Sequence, residues 1–262
     1  MIGPAENLYD GREDILLLKG VHKSYGGRVL ANRDISLRMG PGETRALIGP
    51  NGAGKTTLLN LIAGNLRPDR GEIYFHGTPI HPLPPDRVAR LGVGRTYQRD
   101  NLLDEFTVFE NVRLARQRSH LGSRSLWSWW SRAEDREEIN AAAREMLATL
   151  GLAQRAGARA GELSHGEKRQ LELAMALAAG PRLLLLDEPM AGLSPQEGRK
   201  ITGILESLKG SHAILLVEHD MDAVFTLADS ISVLVEGALE ITGAPEEIRN
   251  HPAVRRAYLG EE

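Results

Sequence analysis

The sequence predicts an α/β fold: a mainly parallel sheet flanked by helices, with a helical subdomain inserted into it. Three observations carry this. Short apolar strand candidates alternate with helical runs, the order from which parallel sheets are built. Leu183-Leu184-Leu185-Leu186 is apolar at every position, as suits a strand covered on both faces. From Thr107 to Ala179 the strand patterns give way to helical ones.

Taken in order, residues 1–14 read as a flexible lead-in. They carry Glu6, Asp10, Glu13 and Asp14 and no apolar core, so they do not read as a secretory signal. Ile15 to Val21 is strand-like and ends at a Gly26-Gly27 turn. Ile35 to Met39 alternates and is broken by Gly40-Pro41-Gly42. Thr44 to Ile48 is a short apolar strand, followed by a glycine-rich loop and a helical run from Lys55 to Ala63. Glu72 to His76 is a further strand candidate. Val108, Val112 and Leu114-Ala115 mark one helix, and alanine-rich Ile139 to Leu150 a second. Gly166 to Ala179 is a third, stopped by Gly180-Pro181. The leucine run follows, then helix, strand and helix through Ala228, and strands at Ile231–Val235 and Leu239–Thr242. A tail helix is expected near Pro252 to Leu259.

Composition excludes several classes of function. A net charge of −3, from 32 Lys and Arg against 35 Asp and Glu, gives no global basic field for nucleic acid. With no cysteine, disulfides and thiolate metal sites are ruled out, which fits a reducing cytosol. No stretch approaches the roughly 18 apolar residues that span a bilayer, so any membrane role must run through a partner.

Gly49-Pro50-Asn51-Gly52-Ala53-Gly54-Lys55-Thr56 fits G-x-x-x-x-G-K-[ST] at every required position. Glycines let the backbone approach phosphate oxygens closely, and the N–H groups of Asn51, Gly52, Ala53 and Gly54 form an anion cradle. The helix that follows aims its positive end at the same place. Lys55 supplies a compact charge for the β- and γ-phosphates, Thr56 a hydroxyl ligand for Mg²⁺, and Thr57 a contact to another phosphate. The expected ligands are ATP and Mg²⁺.

Asp187-Glu188-Pro189 places two acids at the carboxyl end of the leucine strand, where ligands bind in open α/β sheets. Asp187 is suited to hold Mg²⁺, usually through water, and Glu188 to polarise an attacking water. A positioned base contributes about 10²–10⁴ in rate. An acidic pair that only caps the next turn is the bland alternative.

Leu163-Ser164-His165-Gly166-Glu167 precedes a long helix. Here the chain resembles the ABC ATPase family, from about Leu16 to Thr242; the family signature is L-S-G-G-Q. Ser164 and Gly166 match it, and His165 and Glu167 depart from its commonest form. In the family this sequence contacts the γ-phosphate held by the other subunit. Ser164 would offer a hydroxyl, Gly166 an accessible N–H, and the helix its positive end. Ser164-x-x-Glu167 is also a capping box, and both readings hold together. The resemblance implies a P-loop NTPase core with a mainly parallel sheet, an N-terminal antiparallel β subdomain and an inserted helical subdomain at about 107–180. The ATPase domain would span 15–244, with a helical tail at 245–262.

The resemblance also implies roles for three single residues. Gln98 corresponds to the Q-loop glutamine that touches Mg²⁺ or the attacking water. His219 corresponds to the switch histidine on the γ-phosphate. Tyr25 is placed to stack on adenine. Ala191-Gly192-Leu193-Ser194 occupies the D-loop, where the family often ends on Asp, and Ser194-Pro195-Gln196-Glu197 is a helix start in its own right.

A finer resemblance is to ATP-binding subunits of branched-chain amino-acid uptake systems. It rests on Arg95-Thr96-Tyr97-Gln98 with Phe106 to Val112, on Ala191 to Pro195, on Val217 to Met221, and on Pro245 to Asn250 with Ala257 to Gly260. A longer segment between about Arg116 and Glu138 favours the same group. Trp127, Trp129 and Trp130 within it read as a surface hairpin, with contact to a permease or membrane surface as the other reading. The implied machine pairs two ATPase subunits, identical or paralogous, under two membrane permeases, with a periplasmic or extracellular solute-binding protein and no nucleic acid. Its place would be cytoplasmic, on the inner face of the membrane. Related urea and amide uptake or lipopolysaccharide-transport ATPases are the alternatives in transport. A non-transport ABC ATPase is the alternative outside it: no long coiled coil and no second tandem cassette is present.

Overall fold

The computed structural model describes residues 14–27, 29–96, 102–120, 133–251 and 254. Strands β1 (Leu16–Tyr25) and β2 (Val29–Met39) form an antiparallel hairpin, with Leu16 opposite Met39 and Tyr25 opposite Val29. β3 (Thr44–Ile48) leads into the glycine-rich loop and helix α1 (Lys55–Ile62). β4 (Arg70–Phe75) and the two-residue β5 (Thr78–Pro79) return to the hairpin, giving a four-stranded antiparallel sheet in the order β2-β1-β4-β5. Helix α2 (Pro85–Leu91) and strand β6 (Val93–Arg95) follow. Three longer helices come next: α3 (Val108–His120), α4 (Ala133–Thr149) and α5 (His165–Ala178). The chain then alternates β7 (Leu183–Asp187), α6 (Pro195–Leu208), β8 (Ala213–Val217), α7 (Met221–Leu227) and β9 (Ser230–Val235). β10 (Ala238–Gly243) and α8 (Pro245–Arg249) follow.

The second sheet has six strands in the order β10-β9-β3-β8-β7-β6. All its pairings are parallel except β10 on β9. The leucine run shows why it had to be apolar throughout. Leu183 and Leu185 pack on the side of α1, with Leu58, Leu61, Leu16 and Ile35 in the same cluster. Leu184 and Leu186 face the other way, toward α3, α4, α5 and α6, with Val112, Leu147, Leu171 and Ile201. All four are fully buried, each worth about 1.5–3 kcal/mol of transfer free energy. α1 therefore lies between the two sheets, and the phosphate loop at its start is held from both sides. A third cluster joins Ile48, Val224, Ile231, Val233 and Ile248.

The helical layer begins with a local device. Thr107 and Glu110 form a capping pair: the Thr107 N–H and hydroxyl each donate to Glu110 Oε2 at 2.8 Å, and Glu110 N–H donates to Thr107 Oγ1 at 3.1 Å. Buried Asn111 exchanges hydrogen bonds with the Leu103 backbone in both directions.

The structure departs from the sequence reading in several places. The first strand runs on to Tyr25 and the second starts at Val29, because this outer part of the hairpin is exposed and register shifts between Leu18 and Ser24 destroy its alternation. β5, α2 and β6 are too short to give a period. The tail helix expected near Pro252 to Leu259, the Gln98 position and the three tryptophans lie outside the described residues, Val254 excepted.

Candidate active site

The loop between β3 and α1 owes its shape to three glycines. Gly49, Gly52 and Gly54 have φ of 156°, 80° and 102°. At Gly49 and Gly54 a side chain is excluded outright, since a Cβ would lie 2.0 Å from the carbonyl oxygens of Leu234 and Ala31, respectively. At Gly52 the same position meets nothing within 4 Å. The loop thus presses its back on β2 and β9 and turns its open side outward. Fully buried Asn32 fixes it by donating from Nδ2 to the Gly54 carbonyl at 3.2 Å.

Lys55 is only 6% exposed. Its ammonium donates to the carbonyls of Gly49, at 2.6 Å, and Pro50, at 3.0 Å. Burial pushes its pKa down, and the charges of Glu188 and Asp187 push it back up. Two backbone carbonyls therefore hold the cation curled under the loop.

Asp187 stands at the end of β7, opposite Val217 of β8, with its side chain sealed from solvent. The Thr56 hydroxyl donates to its Oδ1 at 3.3 Å, and Arg95 Nη2 lies 3.5 Å from its Oδ2. Burial raises its pKa; Arg95 and then the Thr56 bond oppose the rise. Oδ2 is buried and, among the described residues, accepts no hydrogen bond. An under-satisfied carboxylate beside a threonine hydroxyl is a hard-oxygen donor set of the kind Mg²⁺ takes, with water and phosphate completing its shell. These residues fit the ion.

Glu188 follows with φ 52°, a left-handed backbone uncommon for a non-glycine residue. Its N–H donates to the Val217 carbonyl at 2.9 Å, locking the turn to β8. The turn carries its carboxylate to His219, whose Nε2 lies 2.8 Å from Oε1. Both side chains are partly exposed, at 30% and 41%. A partly exposed carboxylate in contact with an imidazole can polarise water and pass on a proton. Buried Glu218 braces this pair from below. Its Oε1 accepts from Met190 N–H at 2.8 Å, and its Oε2 accepts from His219 N–H at 2.9 Å.

Tyr25 closes the opposite rim. Its hydroxyl is 3.4 Å from Thr57 Oγ1, and the residue is 44% exposed beside the loop. Tyr25, the 49–57 segment, Asp187, Glu188 and His219 are thus gathered at one place.

Ser164 and Gly166 are not part of that group. Ser164 caps α5: its N–H donates to Glu167 Oε2 at 2.9 Å, and its hydroxyl accepts from Glu167 N–H at 3.2 Å. The expected accessible N–H at Gly166 needs correcting. Gly166 is buried, and a Cβ there would lie 2.2 Å from Glu197 Oε1. The Ser194 hydroxyl, the Ser194 N–H and then the Gly166 N–H hold Glu197 below the usual carboxylate range. A cleft of about 280 Å³ lies between the starts of α5 and α6, lined by Ser164, Gly166, Gln170, Glu197 and Lys200 among others. His165 Nε2 sits 3.4 Å from the Ala191 carbonyl, linking this corner to the turn after Glu188.

Sequence reasoning missed Asn32, Asn60, Arg95 and Glu218 as parts of the site. Each acts through a neighbour, and only Arg95 and Glu218 carried a local signal: a charge beside a residue already singled out.

A family profile described as ABC transporter matches residues 32–191, and one described as branched-chain amino acid ATP-binding cassette transporter matches residues 242–262. The high-affinity branched-chain amino acid transport ATP-binding protein LivG of Escherichia coli (strain K12) is 39% identical over 254 residues, 95% of this chain and 99% of that protein. The lipopolysaccharide export system ATP-binding protein LptB of Acidithiobacillus ferridurans is 32% identical over 250 residues, 95% of this chain and 98% of that protein. Among solved structures, a nucleotide-free ATP-binding cassette from an ABC transporter superposes with a TM-score of 0.81 at 31% identity, covering 95% of this chain and 100% of that one. A dimeric cassette in a post-hydrolysis state bound to ADP and Pi gives 0.75 at 28% identity, covering 88% of this chain and 98% of that one.

Proposed function

The chain belongs to the ABC transporter family as an ATP-binding, ATP-hydrolysing subunit, and from that premise we propose that it drives uptake of branched-chain or other hydrophobic amino acids through partner permeases. The 242–262 match and the higher identity to LivG favour this over lipopolysaccharide export. Among the described residues no helix is long and apolar enough to cross a membrane. The proposed assembly has two ATPase subunits on the cytoplasmic face beneath two permeases. A solute-binding protein delivers the amino acid from the other side.

The observation that carries the chemical reading is the meeting of Lys55, Thr56, Asp187, Glu188 and His219 at the ends of β3, β7 and β8. Backbone N–H groups of 51–54 and the start of α1 receive the phosphates. Lys55 leaves its two carbonyl partners to meet them. Thr56 and Asp187, with Gln98, would hold Mg²⁺, which when bound neutralises charge on the β- and γ-phosphates. Glu188 orients the attacking water and accepts its proton, and His219, in 2.8 Å contact with Glu188, faces the γ-phosphate. Tyr25 stacks on the base. Ser164 and Gly166 serve the nucleotide of the second subunit; for Gly166 that service requires Glu197 to withdraw.

Glu188→Gln keeps the shape of the side chain and removes the base. Hydrolysis should fall by about 10²–10⁴ while ATP affinity is kept, measured by phosphate release and nucleotide titration. Wild-type turnover in that variant would remove Glu188 from this role.

A further inference from the structure

We propose that Arg95 is a positioning residue of the cation site: it holds one oxygen of Asp187 so that the other faces Thr56. The proposal rests on the reading of Thr56 and Asp187 as magnesium ligands. It stands on a closed ring of polar contacts. The Thr56 hydroxyl donates to Asp187 Oδ1 at 3.3 Å. Asp187 Oδ2 lies 3.5 Å from Arg95 Nη2. Arg95 Nη1 donates to Asn60 Oδ1 at 2.7 Å. Asn60 Nδ2 then donates to the Thr56 carbonyl at 2.8 Å, one helical turn back. The ring begins and ends at Thr56 and ties together α1, β6 and β7.

Each link has a physical reason. The torsion that turns a carboxylate is broad, so backbone placement alone leaves the oxygens of Asp187 free to swing. Among the described residues Oδ2 accepts no hydrogen bond, and the guanidinium of Arg95 faces it at 3.5 Å. Arg95 is itself fixed: its side chain is 7% exposed, and β6 is registered on β7 with Arg95 opposite Leu185. The planar fork reaches Asn60 and Asp187 at once, which a lysine ammonium on its flexible stem does not reproduce. Burial keeps salt from screening the pair. Magnesium demands near-ideal octahedral geometry, so a ligand oxygen out of place is felt as lost metal affinity.

None of the hydrogen bonds of Lys55 involves Arg95, so the effect should be confined to the metal-dependent part of nucleotide affinity. The test titrates ADP into the full chain with Mg²⁺ or with EDTA and compares the ratio of dissociation constants. Wild type should bind more tightly with Mg²⁺. Arg95→Met should reduce that ratio by about tenfold, the low end for loss of an outer-shell partner, and leave EDTA affinity unchanged. Arg95→Lys should restore only part of it. Asn60→Ala should shift the ratio in the same direction and add nothing further to Arg95→Met, as members of one network do. If Arg95→Met fails to fold, Arg95→Lys and Asn60→Ala carry the test. Wild-type ratios in those variants, or equal losses with and without Mg²⁺, would overturn the positioning role. A wild-type chain with no Mg²⁺ dependence would remove the cation reading beneath it.

Discussion

At Gly54 the backbone stands at φ 102°, and the Ala31 carbonyl oxygen lies 2.0 Å from where a Cβ would sit. Such a conformation costs a non-glycine residue about 1–3 kcal/mol before any clash. The clash here is with backbone, which cannot step aside as a side chain end could. Gly54→Ala should therefore lower thermal stability by at least that amount and abolish nucleotide binding together with it. A variant that melts as wild type does would show that the loop has another way to pack. This residue was legible from sequence because the whole phosphate loop is contiguous. Asn32 and Asn60 were not, and for Arg95 only its nearness to Gln98 was. Asn32 acts on Gly54, Asn60 on Thr56 and Arg95, and Arg95 on Asp187, and nothing in the local sequence announces the strand order that sets β6 beside β7. Gly166 was read as open for the same reason: Glu197, which covers it, comes from a later helix.

At the level of elements, β1 must end where Tyr25 can reach Thr57, and Asp69 sees to that. Its carboxylate accepts from Ser24 N–H at 2.7 Å, from the Ser24 hydroxyl at 2.8 Å and from Lys23 Nζ at 2.9 Å. Lys23 and then Ser24 hold its pKa down at about 2. The sign follows from linkage. A carboxylate whose pKa is depressed on folding contributes stability above its unfolded value, near 3.8, and loses it as pH falls toward about 2. Asp69→Asn should therefore melt below wild type at pH 5 and above, with the gap closing between about pH 4 and pH 2. A gap that does not change with pH would mean that the hydrogen bonds, not the charge, hold the turn. The leucine strand, the alanine-rich helix and both serine caps were readable because each repeats a local rule. β1 and β2 were read short because their outer ends, at Tyr25, Val29 and Leu30, are exposed and the register shifts before them break the period of two.

On the scale of the whole molecule, the two halves of the expected nucleotide site are on different parts of the chain. Lys55, Asp187, Glu188 and His219 converge at the strand ends. Ser164 spends its hydrogen bonds on its own helix start, and Gly166 lies beneath Glu197. A single copy thus holds a phosphate loop and, apart from it, a capped helix start that serves nothing in its own site. This separation is why we propose that the second half serves a partner copy; a cassette to which the chain is similar is a dimer.

That assignment is open to a direct mixing experiment. Two variants are made on the Glu188→Gln background, one also carrying Lys55→Ala and the other Ser164→Glu. ATP-dependent dimers are then followed by light scattering, each variant alone and the two mixed. A dimer with one intact composite site should form only in the mixture, because Lys55 from one copy meets Ser164 from the other there. Equal dimer formation by either variant alone, or none in the mixture where Glu188→Gln by itself dimerises, would contradict a nucleotide shared between two copies.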